Sequence, residues 1–178
     1  MTLGVMRRVI PPLDLKNPAS MQALDAAAGI VEQRYQLGTV PPLSDQQANA
    51  LKAQIDAAPA NAKVNIYRDL RNGFSDERVK AIAAQLAGKK ESITALTMGL
   101  SMEAPRAAST ILRGQEILKN EPKVGLTGAE LSAARDRINS NLGSAYQFNV
   151  EHHATVTDAA LVAYAAKSWQ AKDLSGTF

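Results

Sequence analysis

Residues 99–122, GLSMEAPRAASTILRGQEILKNEP, predict a helix that begins near Pro105 and ends before Pro122. Proline fits the first turn of a helix, where its missing N–H has no intrahelical partner, but the helix cannot continue past it. Five side chains between the two prolines fall near one stripe at helical spacing: Ala108, Ile111, Leu112, Gln115 and Leu118. An apolar stripe needs another surface to cover it, so the sequence predicts that this helix packs on other helices.

Capping residues divide much of the remaining 178-residue chain into further short helices. Polar side chains that can accept N–H bonds at a helix amino terminus precede five apolar-periodic segments: Asn17, Ser44, Asn61, Ser75 and Thr127. Ser44 and Thr127 each have Gln or Glu three residues later, which is the capping-box pattern. Gly38 is predicted to end the first helix in the left-handed conformation, and Gly143 to break the helix that follows Thr127.

Two more segments complete the predicted set of helices. Residues 91–102 predict a short helix, and a last helix is expected from about Thr155–Thr157 to Ala171. The apolar face of the first of these would carry Ile93, Leu96 and Leu100. No window alternates apolar and polar residues over more than a few positions, so no strand is predicted. We therefore expect an all-α fold of six to eight short helices in a compact, partly orthogonal bundle.

The chain is expected to divide where its composition changes, between Pro122 and Gly128. Residues 1–16 lack periodicity and predict an extended leader, and residues 17–122 predict a helical domain. Residues 123–178 then form a C-terminal helical pair that either packs on that domain or makes a small subdomain.

Composition excludes several classes of function. Cysteine is absent, which excludes disulfides, thiolate nucleophiles and cysteine metal sites. The 20 Lys+Arg nearly balance the 17 Asp+Glu, and the basic pairs have no aromatic neighbours that could stack on bases. No apolar run approaches the roughly 20 residues that span a bilayer, and the first residues do not fit a signal peptide.

The two histidines, His152 and His153, are the obvious candidates for a metal site. Adjacent residues on a helix point about 100° apart, whereas metal ligands on one helix favour i, i+4 spacing with a third ligand. Glu151 and Asp158 could add oxygen ligands but do not complete a site. We therefore expect no metal and no cofactor, and we interpret the histidines as solvent-facing or helix-end residues.

Glu91-Ser92 supports one enzymatic alternative, because lytic transglycosylases place a catalytic Glu before a Ser at a helix end. Residues 99–102, GLSM, partly resemble the Gly-Leu-Met-Gln turn of those enzymes but lack its Gln. Lys89 and Lys90 would stabilise the ionised carboxylate, whereas a general acid must hold a proton. The preferred interpretation of Glu91 is a plain helix amino terminus, and the alternative is a peptidoglycan-cleaving domain.

Two further groups of residues have a functional and a structural interpretation. Arg106, Arg113 and Lys119 could contact phosphates in a small nucleic-acid-binding or regulatory module, but a solvated helix face explains them more simply. Four aromatic residues of the last third of the chain would form either a docking surface or, as we prefer, a small aromatic core: Tyr146, Phe148, Trp169 and Phe178.

Residues 93–122, ITALTMGLSMEAPRAASTILRGQEILKNEP, resemble a segment of large internal virion proteins of tailed bacteriophages. Those proteins often carry a transglycosylase domain elsewhere in a long helical chain. The shared features are a short apolar helix and then a helix that ends in ILRGQEILK, residues 111–119 here. Gly143-Ser144-Ala145 and residues 163–167 match a later turn and helix of such relatives, so the resemblance covers about residues 44–178.

The resemblance implies a non-catalytic helical segment of a phage or prophage structural protein. Such a protein is made in the bacterial cytoplasm, becomes part of the virion, and contacts other virion or tail proteins and further copies of itself. The resemblance supplies no active-site residue. The ending WQAKDLSGTF, residues 169–178, is similar to the interior of a longer protein.

Overall fold

The structure, a computed structural model, describes residues 13–87, 91–120, 126–143 and 150–175. Within these ranges the regular secondary structure consists of eight α-helices, and no strand occurs. The predicted all-α class and the predicted number of helices are therefore confirmed. The helices are α1 (Pro18–Tyr35), α2 (Asp45–Ala57), α3 (Ala60–Gly73), α4 (Asp76–Ala87), α5 (Glu91–Glu103), α6 (Pro105–Asn120), α7 (Gly128–Leu142) and α8 (Val150–Ser175).

Three of the predicted amino-terminal caps form as expected. The side chain of Asn17 accepts the N–H groups of Ala19 and Ser20, at 3.1 and 3.4 Å, directly before the proline that begins α1. Ser44 and Thr127 each form a complete capping box at the start of α2 and α7. These caps satisfy backbone donors that have no partner within the helix, and so they fix where each helix begins.

Three predicted helix ends were wrong. Gln36, with φ 52°, takes the left-handed position after α1, and Gly38 does not, because the chain turns back early and brings Val40 to the side chain of Glu32. Helix α3 begins at Ala60 after Pro59, so Asn61 lies inside the first turn rather than at the cap. Helix α8 is longer than expected at both ends, since residues 150–175 contain neither Gly nor Pro to stop it.

Contacts divide the described helices into two units, residues 1–102 and residues 103–178. This division differs in place from the change of composition between Pro122 and Gly128, because α6 makes its most extensive contacts with α8. The leader predicted at residues 1–16 lies mostly outside the described residues, which begin at Leu13.

In the amino-terminal unit, alternate helices pack on each other. The most extensive contacts join α1 to α3 and α2 to α4, whereas consecutive helices would pack in an up-down bundle. Most apolar side chains that helical spacing places on one face of each helix are buried: Met21, Leu24, Leu51, Ile55, Val64, Tyr67, Leu70, Val79, Ile82 and Leu86. Spacing also places Tyr35 on the buried face of α1, and that prediction was wrong, because Tyr35 is the last residue of the helix and is 53% exposed.

The buried face of α5 differs from the predicted one. Ile93, Leu96 and Leu100 are only half-buried, whereas Thr97, Met98 and Ser101 are almost fully buried. The two hydroxyls tolerate burial because each donates to a carbonyl of its own helix, Thr97 to Ile93 and Ser101 to Met98, both at 2.6 Å. The spacing of large apolar residues is therefore a poor guide to this helix.

The carboxy-terminal unit is built on α8, which packs against α6 and, less extensively, against α7. Ala108, Ile111 and Leu112 of α6 are buried as predicted, but Leu131 of α7 is 37% exposed. Gly114 is buried as well, and a Cβ built there would lie 2.2 Å from the carbonyl oxygen of Val162. Helices α6 and α8 therefore meet backbone to backbone at Gly114.

Candidate functional site

The side chain of Glu91 lies outside the described residues, as do Lys89 and Lys90. Glu91 is the first residue of α5, which agrees with the preferred interpretation of Glu91-Ser92 as a helix amino terminus. Catalysis by Glu91 therefore stays an alternative that rests on the sequence alone.

The two histidines lie near the start of α8, where His152 is exposed and His153 is half-buried. In the described part of the chain, no group of three or more His, Asp or Glu side chains is arranged to hold a metal ion. The geometry therefore offers no metal centre around these imidazoles within that part.

The three basic candidates all lie on α6 and are exposed. Arg106 and Arg113 are seven residues apart and so share one face, whereas Lys119 is rotated away from that face. Of the aromatic candidates, Tyr146, Phe148, Phe178 and the side chain of Trp169 lie outside the described residues. The prediction of an aromatic core stays a prediction.

Arg78 of α4 donates several side-chain hydrogen bonds. Its side chain is buried although it is charged. Its Nε donates to Asp25 Oδ1 at 2.8 Å, and its Nη2 donates to Glu32 Oε2 at 2.7 Å. Its Nη1 donates both to Glu32 Oε1 and to the carbonyl oxygen of Val40, the latter at 2.9 Å. We call Arg78, Asp25, Glu32 and Val40 the Arg78 cluster.

Backbone N–H groups complete this cluster. The N–H of Val40 donates to Glu32 Oε1, and the N–H of Ser75 donates to Asp25 Oδ2 at 3.0 Å. Val40 thus has its N–H on the carboxylate and its C=O on the guanidinium of one ion pair. The cluster fastens α1, the α1–α2 connection and the start of α4 to one another.

The electrostatics of the Arg78 cluster keep Arg78, Asp25 and Glu32 ionised near neutral pH. The hydrogen bonds from Arg78 and from the Val40 N–H lower the pKa of Glu32 to about 2, against a smaller opposing effect of burial. Burial raises the pKa of Asp25, but the Ser75 N–H and Arg78 together outweigh it and leave the pKa below its ordinary value. The hydrogen bond to Glu32 raises the pKa of Arg78 despite burial.

This arrangement favours a structural role for the Arg78 cluster over a catalytic one. A general acid or base exchanges protons most efficiently when its pKa lies near the working pH, and these carboxylates titrate well below neutrality. The sequence analysis missed the cluster, because the partners of Arg78 lie 46 and 53 residues away in the chain. A signal existed, since Asp25 and Glu32 are seven residues apart and so share one face of α1.

The described part of the amino-terminal unit contains grooves, of which two are candidates for a binding role. The larger, of about 700 Å³, lies between residues 13–16 and α2, and its lining includes Leu15, Gln47 and Leu51. The smaller, of about 570 Å³, is a shallow depression along α4 beside Thr39 and Pro41. The residues that line these two grooves include no histidine and only one carboxylate each, Asp14 in the larger and Glu77 in the smaller.

The outward face of α1 exposes apolar side chains. Ala23, Ala26 and Ile30 follow one another at helical spacing on this face, and Ile30 is 64% exposed. Tyr35 and Leu37, at the end of the helix, are each 53% exposed. Exposed apolar patches of this kind are typical of surfaces that contact other proteins.

The comparisons with known proteins give no family. No family model matches the chain, and neither the curated proteins nor the solved structures contain a match. In the described ranges, no helix is both long enough and apolar enough to cross a membrane.

Proposed function

We propose that this chain is a non-catalytic structural and interaction module of a phage or prophage virion-associated protein, either internal or part of the tail or ejection machinery. The observation that carries the proposal is the sequence of residues 93–122, which resembles a segment of internal virion proteins. Most of these residues lie in α5 and α6, and Ala108, Ile111 and Leu112 of the α6 stripe are buried in helix packing. A segment whose shared features are packing features fits a building element better than an enzyme.

The outward face of α1 supports the interaction part of this proposal. Met21, Leu24 and Ala28 bury the inner face of this helix, so its exposed apolar residues are not needed for the core. Ile30, with 64% of its surface exposed, is the most exposed of the large apolar side chains in the described ranges. We therefore assign contact with other virion or tail proteins, or with further copies of the chain, to this face.

The test is association with purified phage particles. Tagged chain is expressed during prophage induction in the bacterium that carries the gene, and particles are purified on a density gradient and quantified by mass spectrometry. The proposal expects the chain at a fixed ratio to the other particle proteins. The variant Ile30→Glu should lower that ratio at least several-fold, whereas Asn49→Glu, an exposed control on α2, should leave it unchanged.

Two other outcomes would replace the proposal. Clearing of a peptidoglycan gel by the purified chain, abolished by Glu91→Gln, would establish the transglycosylase alternative. A gel shift with DNA that weakens steeply as salt rises, and that Arg106→Gln reduces, would establish the nucleic-acid alternative, because phosphate contacts release counterions.

A further inference from the structure

We draw no further inference here: the strongest candidate, the groove of about 700 Å³ between residues 13–16 and α2, carries nothing because nothing in the structure shows what covers it.

Discussion

Replacing Gly114 by alanine should weaken the packing of α6 on α8, because the added methyl group has no space. A Cβ at this position would lie 2.2 Å from the carbonyl oxygen of Val162 and 2.8 Å from its Cγ1. The oxygen and the carbonyl carbon, at 2.9 Å, belong to the backbone of α8 and cannot rotate away as a side-chain tip can. One of the two helices must therefore shift by about the missing ångström, which disturbs the close packing along their whole contact.

Two opposing effects set the size of the loss. Overpacking a core by a methyl group costs about 1 to 3 kcal/mol, and a clash with backbone belongs at the upper end of that range. Alanine is favoured over glycine within a helix by about 1 kcal/mol, which offsets part of the cost. We therefore expect Gly114→Ala to lower the free energy of unfolding of the carboxy-terminal unit by about 2 kcal/mol.

Urea unfolding followed by tryptophan fluorescence measures this loss in the right unit. Trp169 is the one tryptophan in the sequence and belongs to α8, so its signal reports on the helix that Gly114 contacts. With a slope of about 1 kcal/mol per molar urea for a unit of this size, the midpoint should fall by about 2 M.

Two glycines provide matched controls, because a Cβ at Gly99 in α5 or at Gly128 in α7 meets nothing within 4 Å. Gly99→Ala should stabilise α5 by up to about 1 kcal/mol, as helix propensity alone dictates. Gly128→Ala, at the first residue of α7, should change the tryptophan midpoint by no more than about 0.5 M. A midpoint for Gly114→Ala at or above that of the unmodified protein would refute the reasoning, since propensity would then be the only effect.

Three further changes test other parts of the account by the same urea unfolding, followed by circular dichroism for the amino-terminal unit. Arg78→Met should lower the midpoint several times more than Arg71→Met. Removal of Arg78 leaves two partly buried carboxylates without their cationic partner, whereas Arg71 pairs with Asp76, which is largely exposed. Equal losses would contradict this. Acidification from about pH 5 to pH 2 should lower the urea midpoint. The pKa of Glu32 is about 2 in the folded chain and 4.5, its ordinary value, in the unfolded chain. The unfolded chain therefore takes up a proton at Glu32 in this range and is favoured over the folded one. Stability from Glu32 is thus complete above that range, and Glu32→Gln should show a smaller fall; an equal fall would assign the acid sensitivity to other groups. Thr157→Val should raise the urea midpoint measured by tryptophan fluorescence by about 1 M. The buried hydroxyl of Thr157 has no hydrogen-bond partner among the described residues, and valine has nearly the same shape as threonine. A lower midpoint would mean that the hydroxyl is hydrogen-bonded.

The features that the sequence predicted well are local ones. A capping box needs only a side chain and a backbone group three residues apart, so Ser44 with Gln47 and Thr127 with Glu130 could be recognised directly. The buried stripes of α2, α4 and α6 follow from helical spacing in the same way.

The features that the sequence did not predict depend on which helices meet. Arg78 bonds to Glu32 and Asp25 across 46 and 53 residues, so its burial follows only once α1 and α4 are known to be neighbours. Gly114 is an ordinary helix residue until Val162 is placed against it. The end of α1 was misplaced for a related reason, since Val40 donates to Glu32 across eight residues, a contact that the residue types at the helix end do not reveal.

For the candidate functional residues, too, local features were easier to predict than features that depend on how the helices pack. Arg106, Arg113 and His152 are exposed, in line with the solvent-facing interpretation, whereas His153 is half-buried. Spacing placed Met21, Leu24 and Ala28 on the buried face of α1, but it did not single out the exposed apolar residues of the outward face, because single apolar residues are common on protein surfaces. Only the packing of α1 on α3 shows that Ile30 remains outside.

The account depends most on residues 105–120 acting as a packing helix that meets α8 at Gly114. Nuclear Overhauser effects on the isotope-labelled chain measure that contact directly. The account predicts strong cross-peaks between the α-protons of Gly114 and the methyl protons of Val162, since a Cβ on Gly114 would stand only 2.8 Å from Val162 Cγ1. Cross-peaks from Gly114 to water or to other helices, with none to Val162, would contradict it.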